Sequence, residues 1–170
     1  WPRHVRGVGT HWIDHALIAA EDPGLVERFF MECMDFRPAE RVVESIEHPD
    51  VIGTWMTCGD SPHDLAVIKG PNAKLHHFAF RLGDWTEVGR AADLFSMDDV
   101  PIDVGPTRHG ITRGHTIYFF DPVGNRNEVF SGGYHVDPDW EVITWTEDQL
   151  GKALFYYENR VVESFVTIHS

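Results

Sequence analysis

Residues 75–97 read LHHFAFRLGDWTEVGRAADLFSM: a strand-like apolar run from Leu75 to Leu82, then a helical segment from Trp85 to Met97. The same succession occurs earlier, in HWIDHALIAAEDPGLVERFFMECMDF at positions 11–36. There an apolar run gives way to a turn at Asp22-Pro23-Gly24 and then to a helix. Leu25, Val26, Phe29, Phe30 and Cys33 follow the i, i+3, i+4, i+7, i+8 pattern, which predicts that this stripe is the buried face. Pro23 suits a helix start, where its missing N–H costs little. Three strand candidates follow each helix: RVVES, GTWMTC and HDLAVIKG after the first, IDVGP, HTIYFFDP and RNEVFSGG after the second. Gly, Pro and Asp separate them. Both halves therefore read β-α-β-β-β, and His15 and His77 hold matching places 62 residues apart. That is a duplicated module and not a solenoid, which needs three or more copies.

The expected architecture is α+β, two βαβββ modules over residues 10–70 and 74–133 that pair into a curved, partly open mixed β-barrel with helices outside. Residues 134–170 are expected to add a helix over EDQLGKALFYYENR, with Leu150, Ala153, Leu154 and Tyr157 on one face, and a closing strand or cover segment at VVESFVTI. Residues 1–9 read as a linker. Trp1 in place of Met implies a processed chain, or a fragment that lacks an N-terminal part.

Composition narrows the function classes. The chain has 170 residues, 42% hydrophobic and 24% charged, enough for one substantial core. With 27 acidic against 14 basic residues the net charge is −13, which repels phosphate backbones and argues against nucleic acid as a partner. No apolar run reaches the roughly 20 residues that a membrane helix needs. The two cysteines, Cys33 and Cys58, form no CxxC pair, so a reducing cytoplasmic setting is expected.

Glu128 is out of place in the apolar strand RNEVF, where a carboxylate needs a partner. An ion pair with Arg126 or Arg113 is one answer. Another starts from strand alternation. His15 then points with Ile13 and Leu17, His77 with Leu75 and Ala79, and Glu128 with Arg126 and Phe130. If the two modules curve around one cavity, the two imidazoles face each other across it and Glu128 joins them. Two His and one carboxylate, with other positions open, form a ligand set for non-haem Fe(II). A hydrogen-bonded core histidine is the plainer reading of either His alone.

The segments DHALI, HDLAVI, LHHFAF, GPTRHG, TIYFFDPVGNRNEVF and TWTEDQLGKALFY together resemble the catalytic domain of catechol 2,3-dioxygenases, which are type I extradiol enzymes of the vicinal oxygen chelate superfamily. The resemblance runs from about Ile13 to Phe165. It implies Fe(II), or Mn(II), held by His15, His77 and Glu128, with the second histidine of LHHFAF as the ligand and His76 on the other face. It implies that His63 assists at the O₂ site, that His109 and Tyr118 contact the catechol oxygens, and that Ile111, Leu154 and Phe165 wall the ring. The implied partners are a catechol-type substrate and O₂, and the implied assembly is a homo-oligomer, tetrameric in the family. The implied reaction is cleavage beside the diol to a 2-hydroxymuconate semialdehyde. A glyoxalase-like lyase and a metal-free binding protein share the fold and are the alternatives. His4, His11, His48, His115, His135 and His169 match no functional position and read as surface or local hydrogen-bonding residues.

Overall fold

A computed structural model describes residues 7–169; His4 and most of the expected linker lie outside them. The first module runs β1 (Ile13–Ala20), α1 (Pro23–Met34), β2 (Arg37–Val43), β3 (Val51–Thr57) and β4 (Leu65–Lys69). The second repeats it with β5 (Lys74–Arg81), α2 (Trp85–Met97), β6 (Ile102–Arg108), β7 (Gly114–Phe120) and β8 (Arg126–Gly132). A short strand β9 (Ile143–Thr146) and two single-turn helices, α3 (Leu150–Leu154) and α4 (Glu163–Thr167), complete it.

The strands form one mixed sheet in the order β6-β7-β8-β5-β1-β4-β3-β2-β9. The first strands of the two modules, β1 and β5, pair antiparallel at its centre, and each pairs on its other side, in parallel, with the last strand of its own module. The sheet is curved but not closed. Its concave face holds a cluster that includes Leu17, Trp55, Ile111, Tyr118, Leu154, Phe155 and Phe165, and its outer face packs α2 through Val88, Ala91 and Phe95.

Three expectations need correction. The apolar stripe of α1 meets the sheet only along one edge: Val26 and Phe30 are half-buried, while Leu25 is 57% and Phe29 54% exposed, and Cys33 is exposed too. The buried side is Pro23, Gly24 and Glu27. The outer surface of the sheet offers Arg41 and Thr54 here, and both donate to the Glu27 carboxylate, at 2.7 and 2.6 Å. A polar docking surface takes the polar side of the helix, which periodicity alone does not reveal. The long helix expected over 147–160 is a 3₁₀ turn (Glu147–Gln149) followed by α3, which ends at Leu154, and Tyr157 is 59% exposed. The closing segment is helix α4, not a strand, and its Phe165 is buried over the concave face. The stretch after Tyr134 also contributes β9, which pairs in parallel with β2.

Candidate metal centre

The register brings the site together. His15 on β1 lies opposite Ala79 on β5, Ala79 opposite Glu128 on β8, and Glu128 opposite Tyr118 on β7. The small Ala79 leaves space between the two larger side chains. His77 sits two residues along from Ala79, opposite Leu17. The two histidines are therefore neighbours on paired strands, with ring centroids 5.5 Å apart, and do not face each other across a cavity as expected.

Simple alternation fails at both. The β1–β5 ladder has register shifts between Ile13 and His15 and between Leu17 and Ile18. The first leaves Asp14 as an extra residue on β1, and the second leaves His76 as an extra residue on β5. A bulge turns such a residue toward the face of its neighbour. Ile13 is accordingly 63% exposed and does not share His15's face, and His76 is not on the opposite face from His77. Each bulge residue instead holds the histidine that follows it. Asp14 Oδ1 lies 2.8 Å from His15 Nδ1, and His76 Nδ1 lies 2.7 Å from His77 Nδ1.

These contacts fix which ring nitrogens are bare. Asp14 can only accept, so His15 Nδ1 carries a proton. His76 Nε2 lies 2.5 Å from the Phe165 carbonyl, which also only accepts, and this contact outweighs the longer approach of the donor Arg126 Nη1 at 3.2 Å, so Nε2 carries the proton. A neutral His76 then has Nδ1 as acceptor, and His77 Nδ1 must donate to it. Burial and the nearby His77 push the His76 pKa down to about 2, which keeps it neutral. Both Nε2 atoms of the His15–His77 pair are thus left to the site. Each stands 3.0 Å from Glu128 Oε2, and they stand 3.4 Å from one another. Ligand atoms about 2.1 Å from an ion at right angles stand about 3 Å apart, so this triangle fits one face of an octahedral shell and leaves the opposite face open. The other Glu128 oxygen accepts from Thr116 Oγ1 at 2.5 Å. The pairing of Glu128 with Arg126 or Arg113 is not what forms: Arg126 pairs with Asp103 at 3.0 Å and donates to the carbonyls of Ser164 and Ile168.

Without a cation, a proton takes its place. Burial disfavours the charged form of His15, but the Glu128 charge and hydrogen bonds to Asp14 and Glu128 outweigh it and raise the pKa to about 9. For His77 burial wins over Glu128 and lowers it to about 4. At pH 7 the cation-free site therefore holds one proton on His15, which a metal must displace. Metal binding at pH 7 is expected to release about one proton, with affinity rising about tenfold per pH unit up to about pH 9. Calorimetric titrations in buffers of different ionisation enthalpy measure this; a proton count near zero would contradict it.

The remaining residues of interest line one narrow cavity of about 20 Å³ with the two imidazoles: His63, His109, Ile111, Thr112, Tyr118, Leu154 and Phe165, together with Leu17 and Trp55. His109 donates from Nδ1 to the Leu154 carbonyl, so its Nε2 accepts from the Tyr118 hydroxyl at 2.9 Å. Burial and Glu128 hold the Tyr118 pKa well above that of a free phenol. His63, 3% exposed, packs 3.8 Å from the His15 ring, and its Nδ1 has no partner. Burial and the neighbouring His15 push its pKa well below the usual range. Asp14, Thr116, Trp55 and Thr112 were not singled out in the sequence. Thr116 had a signal, since it shares a face with Tyr118 two residues on; Asp14 depends on a bulge that no local motif announces. Of the other histidines, His11, His48 and His135 are exposed, His115 packs against Trp85, and His169 lies half-buried beside His76. No described helix is long and apolar enough to cross a membrane.

Comparison with known proteins agrees with this geometry. The chain is 42% identical to the metapyrocatechase of Pseudomonas sp. (strain CF600), over 99% of this chain and 54% of that protein. It is 37% identical to the manganese-dependent 2,3-dihydroxybiphenyl 1,2-dioxygenase of Geobacillus genomosp. 3, over 89% of this chain and 49% of that one. The homoprotocatechuate 2,3-dioxygenase of Brevibacterium fuscum, solved with 3,4-dihydroxyphenylacetate, superposes with a TM-score of 0.88 at 27% identity, over 98% of this chain and 52% of that one. The chain spans about half the length of the curated relatives it matches. The profile of the glyoxalase/bleomycin resistance protein/dioxygenase superfamily covers residues 12–129, and with a duplicated βαβββ fold and a buried two-histidine, one-glutamate site the chain belongs to that superfamily.

Proposed function

We propose that the chain is the catalytic unit of an extradiol dioxygenase, which cleaves catechol or a substituted catechol with O₂ beside the diol to give a 2-hydroxymuconate semialdehyde. The observation that carries this reading is the convergence of three buried ligand atoms, a Tyr118–His109 pair and an unpartnered His63 nitrogen on one cavity. His15, His77 and Glu128 hold Fe(II), with Mn(II) the other candidate in view of the manganese-dependent relative. A metal held by these three residues would supply a Lewis-acid and redox centre for the diol and O₂.

The chain's own groups handle protons and position. Tyr118 stays a neutral phenol and offers its hydroxyl to a catechol oxygen. His109, its Nδ1–H held by Leu154, accepts from the Tyr118 hydroxyl at Nε2, and once that hydroxyl turns to the catechol oxygen the same nitrogen can take a proton from the diol. His63, kept neutral by burial, lends Nδ1 to O₂ and to the product oxygens. Ile111, Leu154 and Phe165 clamp the ring and exclude water. In this reading residues 10–133 are the catalytic body, 134–170 cover it, and 1–9 lead in. A homo-oligomer, a tetramer in the family, fits the exposed apolar stripe of α1, and the two free, exposed cysteines fit the reducing cytoplasm.

The test is aerobic addition of catechol to protein loaded anaerobically with Fe(II). A yellow product is expected. Protein that holds about one metal per chain and gives no colour with catechol or its alkyl and aryl derivatives would refute the reading.

A further inference from the structure

Glu40, on β2, is 1% exposed. Among the described residues it has no cationic partner. Its Oε1 accepts from the Thr112 backbone N–H at 2.5 Å and from the Tyr134 hydroxyl at 2.6 Å, and its Oε2 accepts from Trp145 Nε1 at 2.7 Å. A buried carboxylate satisfied only by neutral donors is costly in a place where an apolar side chain would serve packing alone. What it grips is the turn between β6 and β7. There Thr112 and Arg113 are both left-handed, with φ of 59° and 57°, a pair of conformations that non-glycine residues rarely adopt. The other side of the turn is fastened by Gly110 and Ile111, whose N–H groups both donate to the Ala153 carbonyl at 2.9 Å. The turn carries His109 at its start and both Ile111 and Thr112 in the cavity wall, and the buried Thr112 hydroxyl has no partner.

We propose that Glu40 is a positioning residue for the substrate pocket. Its carboxylate holds the 110–113 turn in its left-handed form, so that Ile111 and the Thr112 hydroxyl are presented to the ring and His109 stays on Tyr118. The kinetic part of this inference rests on the ring-cleavage reading; the conformational part does not.

The test is Glu40→Gln in the whole chain. The amide keeps the shape, but its NH₂ faces either Trp145 or the Thr112–Tyr134 pair, and its neutral oxygen is a weaker acceptor than the carboxylate, so the bond to the Thr112 N–H weakens in either orientation. Exchange of the Thr112 amide, followed by NMR on the metal-free protein, is expected to speed up by roughly tenfold or more. In Fe(II)-loaded protein the KM for catechol should rise on the order of tenfold while kcat changes by less than about threefold, with metal content unchanged. A second change, Arg113→Gly, makes one left-handed position free of cost and should restore much of the KM in the E40Q background. A role in stability alone would lower the melting temperature and leave KM and the rescue flat, and that result overturns the proposal. So does an unchanged Thr112 exchange rate, or faster exchange with an unchanged KM. A wild-type protein that cleaves no catechol sinks the ring-cleavage reading instead, and the exchange rates then decide on Glu40 alone.

Discussion

Replacement of His77 by alanine is expected to strip the protein of its metal. The purified wild type should carry about one ion per chain after loading and desalting, and His77→Ala should retain less than roughly a tenth of that, with turnover falling in proportion. The reason is geometric. The triangle of His15 Nε2, His77 Nε2 and Glu128 Oε2 has sides of 3.0, 3.0 and 3.4 Å, and removal of one corner leaves a two-point site in which Glu128 Oε2 has lost one of its two imidazole partners. The neighbouring histidine supplies the control. His76→Ala removes the acceptor for His77 Nδ1 and frees the proton to move to the other nitrogen, so metal affinity should fall about 10- to 100-fold without being abolished. Metal analysis and calorimetric binding measure both, with circular dichroism to show that each variant folds. If His76→Ala emptied the site and His77→Ala did not, the ligand would be His76 and the tautomer argument would be inverted.

The contrast between these two histidines shows what a sequence can and cannot carry. The repeat was legible: LHHFAFRL before WTEVGRAADLFSM mirrors DHALIAA before PGLVERFFMECM, and the antiparallel pairing of β1 with β5 is the symmetry this implies. Glu128 announced itself through the cost of a carboxylate in an apolar strand. The choice between His76 and His77, by contrast, rested on resemblance, because the alternation rule that separates adjacent strand residues is suspended by a bulge at that position. A bulge is a property of two strands in register, not of one segment, and nothing local to LHH encodes it. The same limit applies to α1, where the apolar stripe was visible but the polar Arg41–Glu27–Thr54 contact that decides which side docks joins three elements. Glu40 is the most extreme case. Its three donors come from positions 72, 94 and 105 residues away, so no window of sequence holds them together.

His63→Phe separates binding from chemistry. Phenylalanine keeps a flat ring of similar size against His15, whose centroid is 3.8 Å away, and against Phe130, at 5.9 Å, so the wall of the site persists. It removes the imidazole nitrogens of a residue that lines the cavity, one of which, Nδ1, is buried without a partner. Since His63 is not a corner of the ligand triangle, metal content should match the wild type, and anaerobic titration with catechol should give an affinity within about threefold. Turnover under air should drop by about 10²–10³, the size of the loss when one positioned hydrogen-bonding or proton-transferring group is taken from a dry site. The pH profile adds a sign. Burial holds His63 neutral across the working range, so its contribution in the wild type should not titrate between pH 6 and 8. A rate that changes several-fold there, and does so only when His63 is present, would mean that the group works as a cation. Equal loss of metal and turnover in the variant would show His63 to be part of the scaffold that sets His15, and an unchanged turnover would leave it no part in the oxygen chemistry.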